Sequence, residues 1–302
     1  MNALAAFMRL SRLKFLAGGF IGGALGIAVA GYERGQVDLR TYALAQVTIT
    51  SAHLMTQYAN EYYDQTSDAL TKRTKYSGGS GVLVDGLLAP GVALYAALAC
   101  LCVSYAGIAT LIASGRAVAA VLGALCVLLA WAYSAPPLRL LARGLGEVDT
   151  VIVVAVLVPL FAYAAQTGAL DLRAVATTLP GAVAIFVMMV CVQIPDADAD
   201  AATGKRNLVV RLGTRRTAQA ALAGMALLLP AVAVAYTLQA PAAYAVTELG
   251  SAIPIWWLAT ALLPLLRGAQ ISSEAIAERG VALFACVGLL GTAGYAIGAL
   301  WH

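Results

Sequence analysis

Asn60, Asp64 and Asp68 recur every four residues in the stretch NEYYDQTSD, and Asp196 and Asp200 repeat that spacing far down the chain in PDADAD. On a helix, residues four apart leave from one side, drifting by about 80° over three of them. Each set therefore turns its oxygen ligands in one direction, while Asp198 points elsewhere. Both sets stand where a long apolar run gives way to a polar loop. Carboxylates at the mouths of membrane helices are costly unless they hold something, and hard oxygen donors suit a hard divalent cation such as Mg2+. Both sets also precede glycine and basic residues: Lys72, Arg73 and Lys75 with GGSG after the first, Gly204, Lys205 and Arg206 after the second. Glycine frees backbone N–H groups and Lys or Arg supplies charge, which is how phosphate is held. Mg2+ usually takes one or two protein carboxylates and completes its shell with water and substrate phosphates. Two such clusters in one protein predict a diphosphate bridged by metal, with all five of these residues as metal ligands and the four aspartates carrying the chemistry.

The elements that position these residues are apolar helices. The chain has 302 residues, 61% hydrophobic and 11% charged, with mean hydropathy +0.84, a composition that excludes an ordinary soluble domain. No ten-residue alternation of the outer-membrane barrel type appears. The fold class is all-α, and apolar runs of membrane-spanning length predict nine transmembrane helices near 15–31, 40–61, 90–112, 117–134, 148–167, 173–194, 217–237, 246–266 and 279–300. With the N-terminus in the cytoplasm, fifteen of the nineteen Lys and Arg fall on one side, leaving Arg34, Arg40, Arg116 and Arg173 on the other. The positive-inside rule makes the crowded side cytoplasmic, and both Asp clusters lie on it. That places the protein in the cytoplasmic membrane. The start MNALAAFMRLSRLK shows no small-residue cleavage site before the first span. A net charge of +4 follows from topology and calls for no nucleic acid.

The five cysteines all fall in apolar runs and read as packing residues. Gly18, Gly22 and Gly26 recur at the spacing that lets helices approach closely. Arg12 and Lys14 have two readings, as headgroup anchors or as active-site groups, and His53 reads as an interior hydrogen-bonded residue. Residues 65–90 form the longest connection. Pro136 and Pro137 end the fourth span, leaving Tyr133 at its end and Arg139 and Arg143 beyond it. Ser272 to Glu278 mark a capped start for the last helix. An acidic helix end followed by glycine and a basic loop occurs twice, as in a weak internal repeat: one domain, 1–302, built of half-bundles over about 10–135 and 145–300.

A diphosphate at the mouth and an apolar bundle behind it together suit an allylic isoprenyl diphosphate, whose cation needs a dry cavity and an acceptor. NEYYDQTSD, YSAPPLRL and DADADAATGKRNLVVRLG resemble the UbiA superfamily of intramembrane prenyltransferases from roughly Arg12 to Gly213. The resemblance implies a helical bundle around a central cavity, Mg2+ bound through diphosphate, and an isoprenyl diphosphate with an aromatic acceptor as partners in the lipid bilayer. It also implies diphosphate-contacting roles for Arg12, Lys72, Arg73, Tyr133, Arg139, Lys205 and Arg206. GGSGVLVDGLLAP and GKRNLVVRLG resemble the menaquinone-type branch, which prenylates 1,4-dihydroxy-2-naphthoate. This chain departs from that branch with Glu61 after Asn60 and with Gln193 in place of an upstream Asn. Another acceptor (4-hydroxybenzoate, a chlorin, a glycerol phosphate) or a terpene cyclase remains open, and a transporter with intramembrane carboxylates is the reading outside enzymes. Tyr58, Tyr62, Tyr63 and Phe186 are candidate cation-stabilising aromatics.

Overall fold

Helix boundaries follow local chemistry throughout. Asp38, Asp171, Asn207 and Ser272 each accept a hydrogen bond from a backbone N–H in the first turn of the helix they open, satisfying donors that have no intrahelical partner. Pro90 opens another helix at its first position, where its missing N–H costs nothing. The computed structural model describes residues 2–301 other than 71, 72, 74, 77 and 270. In chain order the helices are α1 (Ala3–Leu10), α2 (Ala17–Arg34), α3 (Leu39–Tyr63), α4 (Gln65–Asp68), α5 (Pro90–Ala113), α6 (Ala117–Ala132), α7 (Gly146–Thr150), α8 (Val158–Thr167), α9 (Leu172–Gln193), α10 (Ala197–Ala202), α11 (Leu208–Ala226), α12 (Leu228–Thr237), α13 (Ala242–Glu248), α14 (Ala252–Leu266) and α15 (Ser273–Leu300). A π-helical segment, Val151–Leu157, joins α7 to α8. No strand occurs among the described residues.

Seven of the described stretches are long and apolar enough to cross a membrane, against nine expected. Helices stand at the other two positions as well. Of these, α6 has 16 residues, about 24 Å at 1.5 Å per residue, which is short for a hydrocarbon core of about 30 Å. The other, α3, has 25 residues but carries the polar groups of the site. The first span also differs from expectation: α1 precedes it, and the chain turns at Arg12, whose φ is 43°.

The glycine stripe of α2 lies against the π-helical segment and α8. A Cβ on Gly26 would strike the carbonyl oxygen of Pro159, and one on Gly22 would come within 3.2 Å of the Val154 oxygen. Backbones that close gain dispersion along their length, the main source of helix association where lipid removes the hydrophobic drive. Trp256, 68% exposed, and Trp257, packed under the Arg279 guanidinium, face outward. All five cysteines are free. At the end remote from the Asp motifs, Arg173 pairs with Glu33, and Arg34 and Arg116 donate to the carbonyls of Thr167 and Gln166.

Candidate active site

The two Asp motifs meet at one mouth. Asp64 closes α3, with its N–H bonded to the Asn60 carbonyl. The Asn60 amide nitrogen donates to Asp64 Oδ2 at 2.7 Å and to Ser134 Oγ at 3.1 Å. The helix does not run on through the motif as its period suggests. It breaks at Asp64 (φ −101°, ψ 8°) and restarts as α4, yet the Asp68 N–H still bonds to the Asp64 carbonyl, so the four-residue spacing survives the break. In the second motif Asp196 ends a 3-10 turn, Ile194–Asp196, and Asp200 lies in α10.

Lys205 joins the two. Its Nζ lies 3.2 Å from Asp64 Oδ2 and 3.3 Å from Asp200 Oδ1. Burial works against its charge, but Asp64 and Asp200 outweigh that and raise its pKa, so the lysine stays cationic. Asn207, which caps α11, donates to Asp200 Oδ2 at 2.6 Å. Glu147 accepts the Leu208 N–H at 2.7 Å and so ties α7 to α11.

Behind this mouth lies a cavity of about 530 Å3, lined by Asn60, Asp64, Asp68, Asp196, Asp200, Arg12, Tyr133 and Lys205 among the expected site residues. Lys14, Lys75 and Tyr76 join them at the rim. Farther in, the walls are apolar, from Val127 and Ala130 of α6, Val153 and Val154 of the π-helical segment, Phe161 of α8, Ile185 and Met189 of α9 and Phe284 of α15. A volume of this order suits a small-molecule site.

Other expected residues lie elsewhere. Arg139 and Arg206 are exposed and do not line the cavity. Arg73 forks onto Asp85 at 2.7 and 2.6 Å, which commits its guanidinium to the loop that carries it. Lys72 lies outside the described residues. Asp198 is exposed and off the cavity. None of Tyr58, Tyr62, Tyr63 and Phe186 lines it: Tyr58 stacks on Phe7 and bonds Ser11, and Phe186 packs towards Gly224. The aromatic lining comes from Phe15, Tyr76, Tyr133, Phe161 and Phe284.

Glu61 has a different task from the aspartates beside it. Only 3% exposed, it accepts the Ser80 N–H and hydroxyl at 2.6 Å each and lies 3.5 Å from Arg12. Arg9 donates to the Ser80 carbonyl at 2.8 Å. Gly79, at φ 62°, brings the loop over Asp68, where a Cβ would strike the carboxylate. The GGSG segment is thus folded onto the first motif through Glu61. Replacing Glu61 by Leu removes a buried charge with three partners, and charge-assisted hydrogen bonds contribute about 1.5–3 kcal/mol each. Hydrogen exchange at residues 78–86 is expected to speed up by at least about tenfold, and unchanged protection would refute the anchor.

The donor set fits a hard divalent cation. It is all oxygen, and Asp68 is pushed up to about 7 by burial and then by the charges of Asp64 and Glu61, the sign of more negative charge than the site relieves on its own. Among the described residues no three His, Cys, Asp or Glu side chains enclose a metal by themselves, as expected of Mg2+, which leaves much of its shell to water and phosphate. Between about pH 4 and pH 7 the folded chain keeps a proton on Asp68 that the unfolded chain has released, so ligand-free stability falls as pH rises through that window. Asp68→Asn is expected to flatten that slope in thermal unfolding of the detergent-solubilised protein. A slope unchanged by the substitution would refute it.

The UbiA prenyltransferase family model matches residues 20–272, and the chain belongs to that family: it is a membrane prenyltransferase. No curated protein sequence matches it significantly. Its fold is similar to that of a UbiA homolog from Aeropyrum pernix K1, with TM-score 0.71, 18% identity and coverage of 94% of this chain and 98% of that one. It is also similar to a structure reported for digeranylgeranylglyceryl phosphate synthase, with TM-score 0.69, 16% identity and full coverage of both chains (100% and 100%). A UbiA homolog from Archaeoglobus fulgidus, bound to GPP and Mg2+, gives TM-score 0.65 at 14% identity over 95% of this chain and 99% of that one.

Proposed function

We propose that this protein transfers a polyprenyl group from an isoprenyl diphosphate to an aromatic acceptor in a Mg2+-dependent reaction, with 1,4-dihydroxy-2-naphthoate of menaquinone biosynthesis as the acceptor. The observation that carries the reaction is the convergence of both Asp motifs and Lys205 at the mouth of an apolar cavity. The GPP- and Mg2+-bound homolog from Archaeoglobus fulgidus, and its DMAPP- and Mg2+-bound form, support the donor class and the metal. The acceptor rests on the likeness of GGSGVLVDGLLAP and GKRNLVVRLG to the menaquinone-type branch.

In this reading Asp64, Asp68, Asp196 and Asp200, with the side-chain oxygen of Asn60, would hold Mg2+, which when bound would supply Lewis-acid stabilisation of the departing diphosphate. Lys205, Arg12, Lys14 and Lys75 add fixed positive charge around the same oxygens. The apolar walls keep water from the allylic cation, formed as the C–O bond to diphosphate breaks, until a carbon of the acceptor's ring takes it; the new C–C bond forms there and the ring regains its aromaticity as its carboxylate leaves as CO2. Tyr133 and Phe161, which line the cavity, are the aromatic groups that would lend π density to that cation. We also read all nine helical positions as spans, in a single domain of two half-bundles, with the N-terminus and the mouth on the cytoplasmic side of the inner membrane.

The test is purified protein with Mg2+ and geranylgeranyl diphosphate, with and without 1,4-dihydroxy-2-naphthoate, following pyrophosphate and organic product by mass spectrometry. A decarboxylated prenyl naphthol is the expected result. A cyclic hydrocarbon without an acceptor adduct would make the protein a cyclase, and no pyrophosphate release with any acceptor would overturn the reading.

A further inference from the structure

Three polar side chains that the diphosphate site does not use stand deeper in the same cavity. Asp149, on α7, is 6% exposed; Gln57, on α3, and Gln193, at the end of α9, are each 7% exposed. All three line the cavity. Asp149 Oδ1, Gln57 Nε2 and both polar atoms of Gln193 have no hydrogen-bond partner. A buried polar atom left unpaired costs about 1–3 kcal/mol, so four of them on three side chains that line one cavity point to a ligand that draws these side chains into pairing.

Their placement sets them apart from the diphosphate layer. Gln57 stands three residues before Asn60 on α3, about 5 Å farther in at 1.5 Å per residue, and Gln193 stands three before Asp196, across the 3-10 turn. Tyr133, Asp64 and Asp149 all line this one cavity. The cations that line the cavity, Arg12, Lys14, Lys75 and Lys205, belong to the mouth or the loops beside it.

We infer that Asp149, Gln57 and Gln193 form the acceptor-recognition layer, in which the Asp149 carboxylate accepts a hydrogen bond from a ring hydroxyl and the two glutamine amides donate to and accept from the ring's other oxygens. This deepens the functional reading above and rests on it for the identity of the cavity. The chemistry follows from the donor set. In its ionised form the Asp149 carboxylate only accepts, so a group facing that form must carry O–H, and a methyl ether there leaves it unpaired. An acceptor that also carries a carboxylate holds that group towards the basic mouth, away from Asp149. The apolar walls on either side leave room for a flat ring. Asp149 is therefore a specificity-determining residue: a phenol or hydroquinone is selected over its ether, because a site built to hydrogen-bond a hydroxyl rejects the analogue lacking it.

The test is a binding measurement on the detergent-solubilised full chain with Mg2+ and unreactive geranyl thiodiphosphate, titrating 1-naphthol and 1-methoxynaphthalene as probes. Wild-type protein is expected to bind the naphthol about tenfold more tightly than the ether, and Asp149→Asn, whose amide donates to an ether oxygen, is expected to bring the ratio close to one. A ratio near one in the wild type, or an unchanged ratio in Asp149→Asn, overturns the inference. Gln193→Leu is the second variant: it is expected to lose about fivefold in naphthol affinity while its midpoint shift with geranyl thiodiphosphate stays as in the wild type, and unchanged naphthol affinity counts against the layer. Both variants are scored only against that thiodiphosphate shift, so a folding defect registers separately, and Gln193→Leu decides the matter if Asp149→Asn does not fold. Pyrophosphate release by wild-type protein tests the functional reading independently. Release with no naphthol preference would leave the prenyltransferase standing and remove the acceptor layer.

Discussion

Asp64→Ala is expected to lower prenyl transfer by about a thousandfold or more, since losing one preorganised charge-stabilising group costs 10²–10³ in turnover and this carboxylate joins three parts of the site. It closes α3, accepts the Asn60 amide and pairs with Lys205. Its removal takes a proposed metal ligand and at the same time leaves Lys205 to Asp200 alone. Asp196→Ala should fall into the same range, because the second motif lines the same mouth and carries the other proposed ligands. Asp198→Ala is the control: exposed and away from the cavity, it should stay within about twofold of wild type. The measurement is pyrophosphate release from geranylgeranyl diphosphate by reconstituted protein, with thermal unfolding to show that each variant is folded. Activity above a tenth of wild type in both alanine variants would remove the two motifs from the chemistry.

Lys205→Met is expected to move two observables in opposite directions. The ammonium holds Asp64 and Asp200 together at 3.2 and 3.3 Å, with its side chain 12% exposed, so its charge is poorly screened and its loss leaves carboxylates facing one another. Those same carboxylates are the proposed Mg2+ ligands. Without the lysine competing for them, Mg2+ alone should bind more tightly and raise the unfolding midpoint by more than it does in wild type. Turnover should nevertheless fall by about a hundredfold or more, because the leaving diphosphate loses a buried counter-charge. A lysine that only braces the fold would give weaker Mg2+ binding and weaker turnover together, and that pattern would refute the assignment.

The helices and the four-residue spacing within the first motif were legible because each rests on short-range periodicity. Four-residue spacing places Asn60 beside Asp64 whatever the rest of the chain does, and long apolar runs have few alternatives to a helix. The second span passed as a run of membrane-spanning length in the sequence, but Thr48, His53, Gln57 and Asn60 face the cavity from it and lower its hydropathy, so its role shows only in the fold. What stayed hidden depends on pairings between distant positions. Arg73 reads as a phosphate ligand until Asp85, twelve residues on, is seen to hold it. Glu61 reads as a conservative neighbour of the metal motif, and only the folded loop shows it gripping Ser80 and Arg12. Asn207 had a signal, since an Asn just before an apolar run is an N-cap, and the same side chain steadies Asp200. Asp149 had none: an acid three residues into GEVDT looks like any first-turn carboxylate. Rotation about a helix axis decides which aromatics reach the cavity, and apolar sequence on all sides of a span leaves that rotation unspecified.

The π-helical turn at Val151–Leu157 follows directly on Asp149 and Thr150 and lines the cavity through Val153 and Val154. Such turns amount to one residue more than an α-helix needs over the same rise. Over that rise the wider winding turns the chain through nearly the same total angle, so deleting one residue there and restoring regular winding would leave Asp149 on nearly the same side relative to α8. The seat of α8 against the glycines of α2 would be kept as well. The turn works as slack beside the cavity: the chain can gain or lose a residue there without re-aiming what stands on either side, and length differences among relatives of this fold should be sought at this point.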